Sequence, residues 1–194
     1  MIQLTKLADI LSYILSPASI GGYCILIIAF LRIPQIDIMS FIGIIAIAII
    51  FLCIAPIIGI LYYTRKGTID IWVSERETRT PFYIIAIISY IVGVRIFYYL
   101  HQHEFLVFTL SYLTVTTAIT LINLQTKISS HIAGLTGPST AIVYLFGMPA
   151  LSLFLLLPPL LWARLKLNAH SIPQLISGGI ISIIVTYVTY FIFY

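Results

Sequence analysis

The residues able to do chemistry in this 194-residue chain gather in three short polar islands: Arg76 to Pro81, Lys127 to His131, and Arg164 to Gln174. Arginine and lysine recruit anions, and an imidazole can hold, move or replace a proton near neutral pH. Islands of this composition point to a phosphate-bearing ligand, provided they converge on one pocket. The surrounding sequence sharpens the question, because hydrocarbon penalises ionisable groups by several kcal/mol unless they sit in a wet or paired site.

That surrounding sequence is 61% hydrophobic and 8% charged, with a mean hydropathy of +1.12. Soluble domains are about 25% charged, so the expectation is a single integral membrane domain over residues 1–194, multi-pass and seated in the cell membrane. The formal net charge is +4. Its basic residues lie in short loops between apolar runs rather than along a solvated stripe, which excludes nucleic acid as a partner. Cys24 and Cys53 lie inside apolar stretches with no metal-like spacing and read as packing residues. His101, His103 and Glu104 are too weakly spaced to make a metal site, so neither metal nor cofactor is expected.

Seven apolar segments must position the islands, and the fold class is an all-α polytopic transmembrane helix bundle of six to seven such segments. Ile10 to Leu31 reads as one retained helix whose Pro17, Gly21 and Gly22 either kink it or allow close helix packing, closed by Arg32, Pro34 and Asp37. Ile38 to Tyr63 follows, ending at Arg65 and Lys66. Thr64 to Thr80 is the longest polar interruption and reads as a loop or interfacial helix. Phe82 to Leu100 and Phe105 to Leu124 form a hairpin around His101 to Glu104, towards which Arg95 snorkels. Ile132 to Ala163 carries no charge; Gly147, Met148 and Pro149 supply a turn near its middle. Two helices of about fifteen residues there would rise only ~22 Å each. The hairpin matters because it puts all three islands on one membrane face. Ile172 to Tyr194 is the last segment.

In order and spacing the islands resemble the signature of the type-2 phosphatidic acid phosphatase superfamily, membrane lipid phosphatases related to vanadium haloperoxidases. The family pattern is Lys-x6-Arg-Pro, then Pro-Ser-Gly-His, then Ser-Arg-x5-His-x3-Asp. Here Arg164 and His170 keep the Arg-x5-His spacing, Ser129, Ser130 and His131 stand for the second motif, and Arg79 stands for the arginine of the first. The resemblance spans roughly residues 65 to 180 and implies a phosphatase-like core over about 65–194. It departs from that pattern where the lysine position holds Trp72, where Ile128 and Ser130 replace the proline and glycine, and where Gln174 replaces the carboxylate. Ser-Ser-His and His-x3-Gln are similar to the polyprenyl diphosphate phosphatases of the superfamily, such as dolichyl diphosphatase.

The resemblance implies a metal-independent hydrolysis. His170 would attack phosphorus and form a phosphohistidine, His131 would protonate the departing oxygen and later activate water, and the Gln174 carbonyl would orient His170. Arg79, Arg164, Ser129 and Ser130 would cradle the phosphate, with Lys127 or Arg76 replacing the missing lysine. The substrate would be a phosphate or diphosphate on an isoprenoid or a glycerolipid. The alternative is a catalytically inactive phosphatase fold acting as an accessory subunit of a larger membrane complex; a homo-oligomer is a further partner. Loop lysines and arginines place the islands on the cytoplasmic face, whereas the family often places this site on the outer or lumenal face, so both orientations stay open.

Overall fold

The computed structural model describes residues 2–33 and 37–194, and every regular element among them is helical. Pro34, expected to help close the first segment, lies outside the described residues.

The first segment is two helices rather than one. Helix α1 runs Ile2–Ile14 and α2 runs Pro17–Arg32, bent by 44° at the break. Proline has no N–H to continue α1 and is well suited to open a new helix. Ser16 caps that opening by accepting the Ser19 N–H at 3.2 Å. The helix also begins earlier than Ile10, carrying Lys6 and Asp9 with it. The break docks on a glycine: a Cβ on Gly134 would lie 2.5 Å from Pro17.

Helix α3 (Ile38–Ile49), a π-helical turn (Ile50–Ile54) and α4 (Ala55–Arg65) make one span of 28 residues. Asp37 caps α3 through the Met39 and Ser40 N–H groups. The π turn has a local cause. The Ala55 N–H bonds to Ile50 O, and Pro56 has no N–H, so the Phe51 carbonyl is left without a partner in its own helix. The Ser89 hydroxyl supplies one at 2.7 Å. Residues 66–79 form turns with no helix, which resolves the expected loop or interfacial helix as a loop.

Helices α5 (Thr80–Tyr99) and α6 (His103–Asn123) form the expected hairpin. Arg95 stacks on Tyr99 and bonds its hydroxyl at 2.6 Å. The charge-free stretch then divides at Gly147, whose φ of +78° suits glycine, into α7 (Ser130–Phe146) and a second arm. That arm is a 3-10 helix (Met148–Leu156) running into α8 (Leu157–Lys166). The 3-10 rise of about 2.0 Å per residue lengthens it to roughly 33 Å, so it is a full span and not the short helix expected. Helix α9 (Ile172–Phe193) completes the bundle.

Among the described residues five helices are long and apolar enough to cross a membrane, and counting the bent α1–α2 pair as one broken span gives six. Their outward faces, such as Ile42, Ile88, Ile184 and Phe191, are exposed and apolar. Helix α7, the most enclosed, packs against α2, α6 and α9. Arg32 donates to Leu145 O at 2.6 Å, closing the C-terminal end of α7 opposite the islands.

Candidate active site

Helix α9 and the strand-like turn before α7 bring the second and third islands together. The Ser129 N–H donates to Gln174 O at 3.2 Å, and one turn later a Cβ on Gly178 would meet Ser129 O at 2.7 Å. The backbone before α7 therefore lies directly on the first two turns of α9, an approach only glycine permits. Ser129 caps α7, accepting the Ile132 N–H at 3.4 Å. This places His131 in the first turn of α7, where free N–H groups and the helix dipole favour an anion.

The first island is tied in by Arg79. Its Nε donates to Val73 O at 2.8 Å and its Nη1 to Ile128 O at 3.0 Å, so one guanidinium joins the 66–79 loop to the residue beside Ser129. The loop is shaped for this. Asp70 accepts the Trp72 and Ser74 N–H groups at 2.8 and 2.9 Å and the Ser74 hydroxyl at 3.0 Å. Burial raises the Asp70 pKa, but the bonds from Ser74 and Trp72 outweigh it and hold the carboxyl below the usual range. Inside that clamp Val73 adopts φ +46°, a strained conformation for a β-branched residue.

Arg164 arrives from the last turn of α8 and is 1% exposed. Its guanidinium lies over the Trp72 ring at 5.2 Å, donates through Nη1 to Ser12 Oγ at 3.3 Å, and leaves Nε without a partner. The same Trp72 ring meets the His131 ring edge-on at 5.2 Å. His131 Nε2 is buried and unpartnered.

His170 sits between α8 and α9, buried at 7% exposure. Its Nδ1 lies 3.3 Å from Gln174 Oε1, which also takes the Ser171 N–H at 3.1 Å as part of the capping box of α9. A backbone N–H can only donate, so this atom is the amide oxygen. His170 Nδ1 must then carry the proton, which leaves the lone pair on Nε2. Burial first, then the charges of Arg79, Arg164 and Lys127, push the His170 pKa down to about 3. Burial and the same two arginines also lower Lys127.

Thus Arg79, Arg164, Lys127, His131, His170, Ser129, Ser130 and Gln174 converge from four separate stretches of chain. Arg76 does not join them: it donates to Asn123 O and Leu124 O at 3.2 and 2.7 Å and pairs with Glu77 at 2.8 Å. It latches the C-terminus of α6, whose unsatisfied carbonyls attract a cation. Among the described residues no group of histidines, cysteines and carboxylates could hold a metal ion.

Two contributors escaped the sequence. Trp72 lies between Arg164 and His131, and an aromatic among cations was a usable signal. Ser12 carried none, being one serine in an apolar helix; it reaches Arg164 because α1 packs along α8.

Comparison with family models, with curated proteins and with solved structures finds no match for this chain.

Proposed function

We propose that the protein is a metal-independent lipid phosphatase of the cell membrane, acting on a phosphate or diphosphate carried by a lipid. The observation that carries this reading is the cluster of Arg79, Arg164 and Lys127 around two histidines, with no carboxylate in ion-pair contact with any of the three among the described residues. Buried cations normally retain a counter-charge; Asp9 and Asp70 act on Arg164, and Asp70 on Lys127, only from beyond ion-pair distance, and a substrate phosphate would supply the direct partner.

In this reading the phosphate enters between Arg79 and Arg164, against the first turn of α7. Its negative charge offsets the two guanidinium groups, so His131 can take up a proton. His170 Nε2 attacks phosphorus, the bond from phosphorus to the lipid oxygen breaks, and His131 gives its proton to that oxygen. Water then attacks the phosphohistidine; His131 takes its proton, the P–N bond breaks, and inorganic phosphate leaves with His170 neutral again. Gln174 holds Nδ1–H throughout and keeps the lone pair on Nε2.

The test is phosphate release by purified protein in the presence of a chelator, from polyprenyl diphosphate and from phosphatidate. Acid-labile label on His170 from a 32P-labelled substrate is the expected intermediate. Inactivity on both substrates, or full activity of His170→Ala, would overturn the reading and leave the accessory-subunit alternative.

A further inference from the structure

The cluster does not end at its polar rim. A cavity of about 340 Å³ begins beside Arg79, Ser130 and His131 and runs into the bundle between α4, α5, α6 and α7. Along α7 it extends from Ser130 to Pro138, a depth of about 12 Å at 1.5 Å per residue. Its walls are overwhelmingly apolar, and the π turn contributes by directing Leu52 and Cys53 into it.

One side of the cavity is bounded by α4, whose Leu61 both lines it and is 39% exposed on the outer surface. Helix α4 packs along α5 through Gly59, against which Phe82 and Ile85 rest. The next face of α4 carries Ile57, Ile60 and Leu61 at helical spacing, and these look across the cavity at Pro17 and Ala18 on the broken α1–α2 pair. Polar atoms mark its two ends: Tyr83 has an unpartnered hydroxyl at the mouth beside Arg79 and Ser130, and the floor carries the hydroxyls of Tyr112 and Thr186, both buried and without a partner. Hydrocarbon pressed onto unpartnered hydroxyls is penalised, so a chain gains by filling the walls and stops gaining at that floor.

We propose that this cavity receives one hydrocarbon chain of the phosphorylated lipid, admitted sideways between α4 and the α1–α2 break, and that the Tyr112–Thr186 floor limits its useful length. The inference rests on the phosphatase reading for the identity of the head group. At about 30 Å³ per water-sized group the volume holds on the order of ten carbons, enough for one chain and too little for two. The preferred substrate is therefore a single-chain lipid phosphate, with a two-chain glycerolipid disfavoured.

Two measurements in lipid nanodiscs test this. The first is phosphate release from single-chain alkyl and isoprenyl phosphates of graded length, beside phosphatidate. KM is expected to fall with chain length to about ten carbons and then level; Ala86→Phe, which adds a ring to the wall, moves that plateau to shorter chains. Uniform gain beyond that length, or phosphatidate turned over as well as the best single-chain phosphate, overturns the proposal. The second is photolabelling of the wild type by a single-chain alkyl phosphonate bearing a terminal diazirine. Adducts within residues 52–61 and 82–90 support the cavity, and adducts spread over the lipid-facing residues overturn it. Labelling in the cavity without release from any phosphate sinks the phosphatase reading while the chain site stands.

Discussion

His170 Nδ1 lies 3.3 Å from the side-chain oxygen of Gln174, one turn into α9, and the same oxygen takes the Ser171 N–H at 3.1 Å. A single amide thus orients the candidate nucleophile and caps the helix that carries it. Gln174→Ala should lower thermal stability by about 1 kcal/mol from the lost cap and free the imidazole to change tautomer. Gln174→Glu keeps the acceptor and adds a negative charge, so the His170 pKa should rise from about 3. NMR titration of the labelled imidazole reads this; identical titrations for wild type and Gln174→Glu would refute the contact.

Acid sensitivity follows from the same group. The folded protein holds His170 neutral down to about pH 3, whereas an unfolded histidine takes a proton near 6.5. Between these values the unfolded state binds more protons, so the contribution of His170 to stability is complete above about pH 6.5 and is lost as pH falls towards 3. His170→Asn should flatten that part of the stability profile, measured as thermal midpoint against pH in detergent. An unchanged slope would show that His170 is not held neutral.

Arg164 places function and stability in opposition. It is 1% exposed, with its Nε unpartnered and no carboxylate in contact among the described residues. Replacing such a buried charge by an apolar side chain of similar length is often neutral or stabilising by about 1–4 kcal/mol. Arg164→Met should therefore hold or raise the thermal midpoint while phosphate release falls by about 10²–10³-fold. A strongly destabilised variant would mean that the guanidinium is a structural strut.

The approach of α9 to the turn before α7 depends on one missing methyl. Gly178→Ala sets a Cβ 2.7 Å from Ser129 O, a backbone atom that cannot swing aside, so the two segments must separate. We expect a loss of about 1–3 kcal/mol, in the range of overpacked interiors, together with weakened phosphate release. Gly43→Ala, where nothing lies within 4 Å, is the control and should be neutral or slightly stabilising. Equal behaviour of the two variants in thermal unfolding would contradict the close approach.

The π turn gives a prediction about the fold alone. Ser89→Ala removes the donor to Phe51 O, the carbonyl that Pro56 cannot serve, at a position that is 7% exposed. An unpaired buried carbonyl costs about 1–3 kcal/mol. Ser152→Ala, on an exposed hydroxyl bonded only within its own turn, should be silent.

The helical character, the apolar segments and the residues of the islands were legible along the chain, because hydrocarbon enforces long apolar runs and confines charge to their ends. Gly147 and Pro149 announced the hairpin that brings the islands to one end, since their backbone limits act locally. The same local rule marked Pro17, but whether it kinked or broke the helix depended on Gly134, more than a hundred residues away. The 3-10 stretch after Gly147, which turns a short arm into a full span, had no periodic signal.

What tertiary structure alone decided was which cations face the histidines. Arg76 and Arg79 lie three residues apart in one loop, and the sequence made both candidates to meet phosphate; packing gives one to the end of α6 and the other to Val73 and Ile128. Ser12 joins Arg164 only because α1 packs along α8, and Trp72 lies between Arg164 and His131 only because Asp70 folds its loop inward. Residue type and spacing along the chain determine which chemistry is possible. Which groups share a pocket is set by long-range contacts, whose energies depend on partners distant in sequence.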